Sequence, residues 1–363
     1  MTGVGRQIHF CTSPDGVRIA YAFAGKGPPL VKAANWLTHL QFDWPSPLWR
    51  HWLTELSKDR LLVRYDERGC GLSDRDVTDL SFESWVRDLE AVVDATGLDR
   101  FALFGMSQGG AVAIAYAARH PERVTHLVLC GAYARGRYQR GGSKAEIEEN
   151  EMTIELAKRG WERDNPAFRQ TFATLLCPDG APEQHRSFTE MMRLSTSAAN
   201  AGELMRHFTA VNVRELATQV RCPTLIVHAR NDGGVPFEEG RLLASLIPGS
   251  RFVPVEGRNH ILLEHEPAWS QFVEELQAFL PGGGRKDRVG DLPDAFRKLS
   301  AREREVTALL ADGLDNRQIA ARLLVSEKTV RNHVTSIFCK LGVRTRARAI
   351  VRAREVGYGN RGT

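Results

Sequence analysis

Phe101-Ala102-Leu103-Phe104-Gly105-Met106-Ser107-Gln108-Gly109-Gly110-Ala111-Val112-Ala113-Ile114-Ala115 is the stretch that decides the fold. Its apolar opening predicts a buried strand over residues 101–105, and the small residues that follow predict a close-packing helix over 109–119. Glycines stand two residues either side of Ser107, where a strained strand-to-helix turn leaves no room for a Cβ. A serine held in that turn stands at the carboxyl end of its strand. The helix N-terminus beneath it favours developing negative charge. The stretch therefore predicts a displayed, nucleophilic Ser107.

Short apolar runs recur on both sides of this unit. Segments 6–12 and 17–24 flank Pro14-Asp15-Gly16 and predict a hairpin. Further strands are expected at 30–34, 61–65, 124–130, 224–228 and 252–255, with helices at 82–96 and 267–279. This alternation implies a largely parallel sheet covered on both faces. Between about 132 and 216 the strand signal disappears and the pattern turns helical and amphipathic. An insertion of that size predicts a lid over a pocket. Trp161, Phe168, Phe172, Met191, Met192 and Phe208 are either its own core or the pocket lining.

A nucleophilic serine needs a base and a group to orient that base. Asp232 lies just past the strand at 224–228, and His260, in Gly257-Arg258-Asn259-His260, just past the strand at 252–255. The other place for an acid, after 124–130, reads Gly131-Ala132-Tyr133 and offers no carboxylate, which leaves Asp232. Gly25-Lys26-Gly27 runs into Pro28-Pro29 and is no phosphate loop, and His228 lacks metal-ligand spacing. Neither metal nor cofactor is expected.

Residues 299–351 follow a purely helical pattern. Ser300-Ala301-Arg302-Glu303 forms a capping box that opens a helix with Val306, Leu309 and Leu310 inward, and Gly313 ends it. Asn316 is expected to cap a second helix, with Ile319, Ala320 and Leu323 inward. Ser326 caps a third over 327–341, with Val330, Val334, Ile337 and Leu341 inward. Its outward face holds Lys328, Arg331, Asn332 and Thr335, so many basic and amide groups that entry into a DNA groove is expected. Gly342 stops this helix and Thr345 starts a fourth. Arg331 and Asn332 suit bidentate contacts to base edges, and Thr335 an apolar or hydroxyl contact. Lys328, Thr329, Asn316, Arg317, Arg344 and Arg346 suit phosphates, which position without specifying.

Charge divides at the same place. Residues 282–363 carry 18 Lys+Arg against 9 Asp+Glu, whereas 1–281 carry 31 against 35. The small basic part suits a polyanion and the larger acidic part does not. Pro281-Gly282-Gly283-Gly284 followed by Arg285-Lys286-Asp287-Arg288 marks the boundary. It gives a domain over 1–281, a flexible linker over 282–294 and a second domain over 295–363. Six scattered cysteines read as reduced thiols, and no apolar run reaches membrane length, so a cytoplasmic protein is expected.

Residues from about 7 to 280 resemble the α/β-hydrolase fold superfamily. The resemblance rests on Gly105-Met106-Ser107-Gln108-Gly109, on the chain order Ser, Asp, His, and on the loop Asp66-Glu67-Arg68-Gly69-Cys70-Gly71-Leu72-Ser73. That loop reads as a turn that shapes the site without chemistry of its own. The resemblance implies a Ser107 nucleophile, a His260 base, an Asp232 orienter and the backbone N–H of Gln108 in an oxyanion hole. Many members carry His-Gly after the third strand. Here Ala34-Asn35-Trp36 stands there, and the Trp36 N–H is the second donor expected. Residues 299–351 resemble the LuxR-type helix-turn-helix domain, which implies double-stranded DNA as partner, bound as a homodimer on a two-fold site. Nothing before Pro281 resembles a phospho-acceptor receiver or an ATPase module. Together these imply a transcription regulator that senses a small apolar ester- or lactone-like ligand; the alternative is an active serine hydrolase that processes its own signal.

Overall fold

The apolar runs of the first 281 residues become the strands of one sheet. A computed structural model describes residues 7–281, 294–323, 325–343, 345–355 and 358, in two units, 1–283 and 284–363. The linker expected at 282–294 falls, but for Asp294, outside the described residues. The strands are β1 (Ile8–Thr12), β2 (Arg18–Ala24), β3 (Pro29–Lys32), β4 (Leu61–Tyr65), β5 (Phe101–Met106), β6 (Val124–Cys130), β7 (Thr224–Ala229) and β8 (Arg251–Val255). They pair in the order β1-β2-β4-β3-β5-β6-β7-β8. β1 and β2 form an antiparallel hairpin with Thr12 opposite Arg18, β2 lies antiparallel to β4, and the remaining pairs are parallel.

This order creates the site. Chain direction across the sheet reverses between β3 and β5, with β4 on one side and β6 on the other. Open parallel sheets leave a crevice at such a switch point, outside the carboxyl ends of the strands. The loop after β3 and the turn after β5 both face that crevice. β5 and β7 are buried along their whole length, as strands covered on both faces must be. Between β6 and β7 the chain forms the helices Lys144–Gly160, Ala167–Leu176, Pro182–Ser195, Ala198–Ala210 and Arg214–Ala217. Among the described residues no helix is long and apolar enough to cross a membrane.

The loop after β4 is pinned by Arg68, whose side chain is 0% exposed. Its guanidinium grips Asp88 through Nε (2.7 Å) and Nη2 (2.6 Å), and Asp15 through Nη1 (2.6 Å). Asp15 sits in the β1–β2 turn and Asp88 on the helix Phe82–Thr96, so one side chain joins three segments. Asp66 fixes the same loop by accepting the N–H groups of Leu40 (3.1 Å) and Leu72 (2.8 Å).

The second unit packs the helices Ala301–Ala311, Asn316–Leu323, Glu327–Leu341 and Arg346–Glu355 around Val306, Leu310, Ile319, Val330, Ile337 and Leu341. Ser300 and Glu303 form the expected capping box. Glu303 also receives Lys340 Nζ (2.6 Å) and Ser336 Oγ (2.6 Å) from the helix Glu327–Leu341. Burial raises this carboxyl, but those donors outweigh it and bring it down to about 2. The second helix is capped by Asp315, not by Asn316. Asp315 Oδ1 accepts the Gln318 N–H (2.8 Å) while Gln318 Oε1 accepts the Asp315 N–H (2.9 Å). That reciprocal pair needs an acid three residues before a Gln, and only Asp315 has that spacing. Ser326 and Gly342 cap the third helix as expected, Gly342 in the left-handed conformation.

Removing one partner from a buried ion pair strands the other. Arg68→Ala should therefore lower the unfolding free energy of the first unit by about 3–5 kcal/mol. Arg230→Ala, which breaks the exposed pair with Glu256, should change it by less than about 1 kcal/mol. Urea denaturation of both variants checks this, and equal losses would contradict it.

Candidate functional site

Ser107 closes β5 with φ 52° and ψ −129°, and beyond it the helix Gln108–Arg119 begins. Among the described non-glycine residues it shares a positive φ only with Asp59. Such strain persists where the surroundings over-determine it. A Cβ on Gly109 would lie 2.4 Å from the Ala34 carbonyl oxygen, and one on Gly105 would lie 2.7 Å from the Cα of Gly110. The helix thus packs directly on β5 and on the loop after β3, and the turn that presents Ser107 has no room to relax.

Asp232 follows β7 and His260 follows β8; the structure brings them together. His260 Nδ1 lies 2.8 Å from Asp232 Oδ2 and 3.0 Å from Oδ1. Their side chains are 3% and 1% exposed. Asp232 Oδ1 also accepts the N–H groups of Gly234 (2.8 Å) and Val235 (2.9 Å), which fixes the carboxylate before it meets the ring. Burial pushes this carboxyl up, but His260 first, then His228 and the Val235 N–H, pull it below its ordinary range. An ionised Asp232 holds the imidazole proton on Nδ1 and leaves the lone pair on Nε2. His260 Nε2 is buried and has no hydrogen-bond partner among the described residues. His228 stays apart: its Nε2 meets the Val235 carbonyl at 3.0 Å and lies 3.6 Å from Asp232.

Ser107, Gln108, Trp36 and His260 line one cavity of about 110 Å³. Of the insertion residues singled out from the sequence, Phe172 and Phe208 line it. Trp161, Met191 and Met192 are buried in the insertion's own core, and Phe168 packs beside Gly160. The Trp36 indole is held by Trp161, Phe172 and Phe208, with ring centroids 5.6–5.8 Å away.

The Gln108 side chain spans the floor of this site. Its Oε1 accepts the Trp36 N–H (3.0 Å) and its Nε2 donates to Glu67 Oε1 (2.6 Å). The Trp36 N–H expected as an oxyanion donor is thus engaged by Gln108 in this structure. The backbone N–H of Gln108, at the first helical position, has no intrahelical acceptor to serve. Behind them lies a layer of buried titratable groups that sequence reasoning missed. Burial pushes the Glu67 carboxyl up to about 8 and pulls the Lys32 ammonium down to about 8, and Lys32 Nζ donates to Asn35 Oδ1. The one signal was a lysine ending an otherwise apolar strand, Leu30-Val31-Lys32.

On the helix Glu327–Leu341, Lys328, Arg331, Asn332 and Thr335 are exposed. Their spacing of three and four residues places them on one face. Thr335 Oγ1 returns to the Arg331 carbonyl (3.0 Å), and Thr329 Oγ1 pairs with Ser326 Oγ (2.8 Å). Arg317 is exposed. Asn316 and Arg346 bond each other (2.9 Å), and Arg346 also holds the Leu314 carbonyl, so this pair ties the fourth helix to the second. Arg344 lies outside the described residues.

Comparison with known proteins agrees with both units. The alpha/beta hydrolase fold family matches residues 45–267, and the luxR family of bacterial regulatory proteins matches residues 297–353. The chain is 26% identical over 267 residues to a pyrrolizixenacetamide deacetylase from Xenorhabdus hominickii, covering 72% of this chain and 94% of that one. An esterase from Rhodococcus sp. ECU1013 superposes with a TM-score of 0.61 at 28% identity, over 75% of this chain and 98% of the esterase. An esterase from Exiguobacterium antarcticum superposes with a TM-score of 0.63 at 24% identity, over 75% and 99%. The chain belongs to the α/β-hydrolase fold family and carries, at residues 297–353, a LuxR-type DNA-binding domain.

Proposed function

We propose that this protein is a cytoplasmic transcription regulator whose hydrolase-fold cavity takes a small, largely apolar ester- or lactone-like ligand. Filling the cavity changes the affinity of the LuxR-type domain, acting as a homodimer, for a two-fold duplex site. The observation that carries this reading is the cavity itself, apolar over most of its wall, with Ser107 and an unpartnered His260 Nε2 converging on it. Buried polar atoms are ordinarily satisfied, and an unpaired one facing a cavity is a place for a ligand atom. In the second unit, Arg331 and Asn332 are the base-reading residues and Lys328 the phosphate contact.

A specific observation favours a second reading, an active serine hydrolase. The Asp232–His260 contact at 2.8 Å and the Ser107 turn supply a nucleophile, a base and an orienter in named places. In that chemistry Ser107 Oγ attacks the acyl carbon as its proton passes to His260 Nε2, and the imidazolium then protonates the leaving oxygen. Water repeats the sequence on the acyl-enzyme and restores the serine. The relatives named a deacetylase and an esterase support this reading. The occupied Trp36 N–H weighs against fast turnover, because the loss of one oxyanion donor typically costs about a hundredfold or more.

Short-chain esters and lactones distinguish the two. If the site turns over, Ser107→Ala should lower kcat/KM by more than about a thousandfold. Equal rates for both proteins would remove Ser107 from the chemistry. On DNA, Arg331→Ala should relax preference at one base pair, at a cost of about 1–3 kcal/mol. Lys328→Ala should weaken all duplexes alike and reduce the salt slope by about 1. Indistinguishable specificity profiles would end that division of roles.

The floor of the cavity has a pH signature. Glu67 titrates near 8 in the folded chain against an ordinary 4.5, so its protonated form is the one folding favours. Its contribution is fully present below 4.5 and is lost as pH rises toward 8. Glu67→Gln keeps an acceptor for Gln108 and removes the titration. Its stability relative to the parent should rise steadily across that window; parallel urea midpoints at both ends would contradict the assignment.

A further inference from the structure

The cavity wall built by the insertion is charged in one sense. Arg137 and Arg140, from the turn after β6, and Asn150, from the helix Lys144–Gly160, all line it, and no aspartate or glutamate among the described residues does. Arg140 is half-buried over the Tyr133 ring, and its Nε donates to the Arg135 carbonyl (3.0 Å). Its nearest carboxylate, Glu239, lies 3.8 Å away and is already taken by Arg135 through Nη2 (2.8 Å) and Nε (3.1 Å). Two guanidiniums therefore share one carboxylate, and neither Nη group of Arg140 meets a described acceptor. Arg137 is exposed at the cavity and forms no ion pair with a described residue. Asn150 is 3% exposed, and its buried amide Nδ2 makes no direct hydrogen bond among the described residues. The indole Nε1 atoms of Trp36 and Trp49, both lining residues, are likewise buried and unpartnered.

Apart from the His260 Nε2 lone pair at the Ser107 end, the unpartnered groups of this cavity are donors and positive charge. An amide nitrogen and indole N–H groups cannot satisfy one another, and a guanidinium has no acceptor to offer them. A cationic ligand would meet like charge, and a pure hydrocarbon would leave every one of these donors stranded. A carboxylate supplies several lone-pair sites and matches the guanidinium fork. We infer that the ligand of this cavity is an anion, an acyl compound bearing a free carboxylate that Arg137, Arg140 and the Asn150 amide receive. The assignment rests on the reading of this cavity as the ligand site, and it holds whether or not Ser107 turns over. Ser107 and His260 then face the ester or lactone bond of the same molecule, and the apolar wall covers the chain between the two groups.

Monomethyl and dimethyl hexanedioate share one chain and one ester, and differ in whether the other end is a free carboxylate or its methyl ester. Binding of each is read by tryptophan fluorescence in full-length Ser107→Ala protein, where hydrolysis cannot interfere and Trp36 and Trp49 report on the cavity. The monoanion should bind roughly tenfold tighter or more, the ratio expected of one charge-assisted hydrogen bond. Adding Arg140→Gln or Arg137→Gln should bring that ratio toward one. If Arg140→Gln proves unfolded by its melting curve, the exposed Arg137 position carries the same comparison. Equal binding of the two probes, or a ratio untouched by both arginine changes, overturns the carboxylate assignment and leaves the cavity reading standing. Binding of neither probe overturns both.

Discussion

The contact between the helix Gln108–Arg119 and the loop after β3 is the constraint on which the rest of the first unit depends. With the Gly109 backbone against the Ala34 carbonyl, no side chain fits between them, and the helix must start immediately after β5. That start holds Ser107 at positive φ and delivers Gln108 to the one place where its amide reaches both Trp36 and Glu67. The switch point of the sheet, set by the β4-β3-β5 order, decides that these groups meet at the strands' carboxyl ends. Asp232 and His260 arrive there from β7 and β8 for the same topological reason. The insertion then covers them.

Two treatments of buried polarity coexist in this chain. Glu303, Arg68 and Asp232 each have their hydrogen-bonding capacity filled by named partners, and these groups join segments distant in sequence. The cavity is the opposite case. His260 Nε2, Asn150 Nδ2 and the Trp36 and Trp49 indoles are buried with none. Each unsatisfied group costs about 1–3 kcal/mol in the folded state. Other buried side-chain atoms among the described residues also lack a partner, Trp85 Nε1 and Tyr116 Oη among them. What sets these four apart is that their residues line one cavity, where under the proposed function a ligand brings the missing partners. The same arrangement couples occupancy to stability, since a ligand that binds only the folded form adds to its stability by mass action.

Much of this was legible in the sequence because the signals were local. The strands at 61–65 and 124–130 and the helices at 82–96 and 267–279 match what the apolar period predicts, since flanking turns bound each one. Ser107, Asp232 and His260 were singled out from motif and chain order, each at a strand end; Ser107 and His260 line one cavity and Asp232 lies against the His260 ring. What escaped depended on distance. The Trp36 N–H meets Gln108 across 72 residues, and Gln108 meets Glu67 across 41, so no local pattern announces either bond. Arg140 and Asn150 sit in the insertion, whose amphipathic helices look alike whether they pack on a core or line a cavity. The Asp315 cap was misplaced by one residue because Asp315-Asn316 offers two good capping residues in succession, and only the side chain of Gln318 decides between them.

Under the proposed function the hydrolase-fold cavity is the input and the LuxR-type domain the output. For the input to matter, occupancy must change DNA affinity by the free energy that links the two sites, typically about 1–3 kcal/mol. The direct measurement is fluorescence anisotropy of a duplex selected by the full-length protein from a random pool, titrated with Ser107→Ala protein whose cavity is either empty or saturated with monomethyl hexanedioate. The account predicts a change in Kd of about fivefold or more between the two states. The same Kd with the cavity filled and empty, on protein whose ligand binding has been verified by fluorescence, would contradict it.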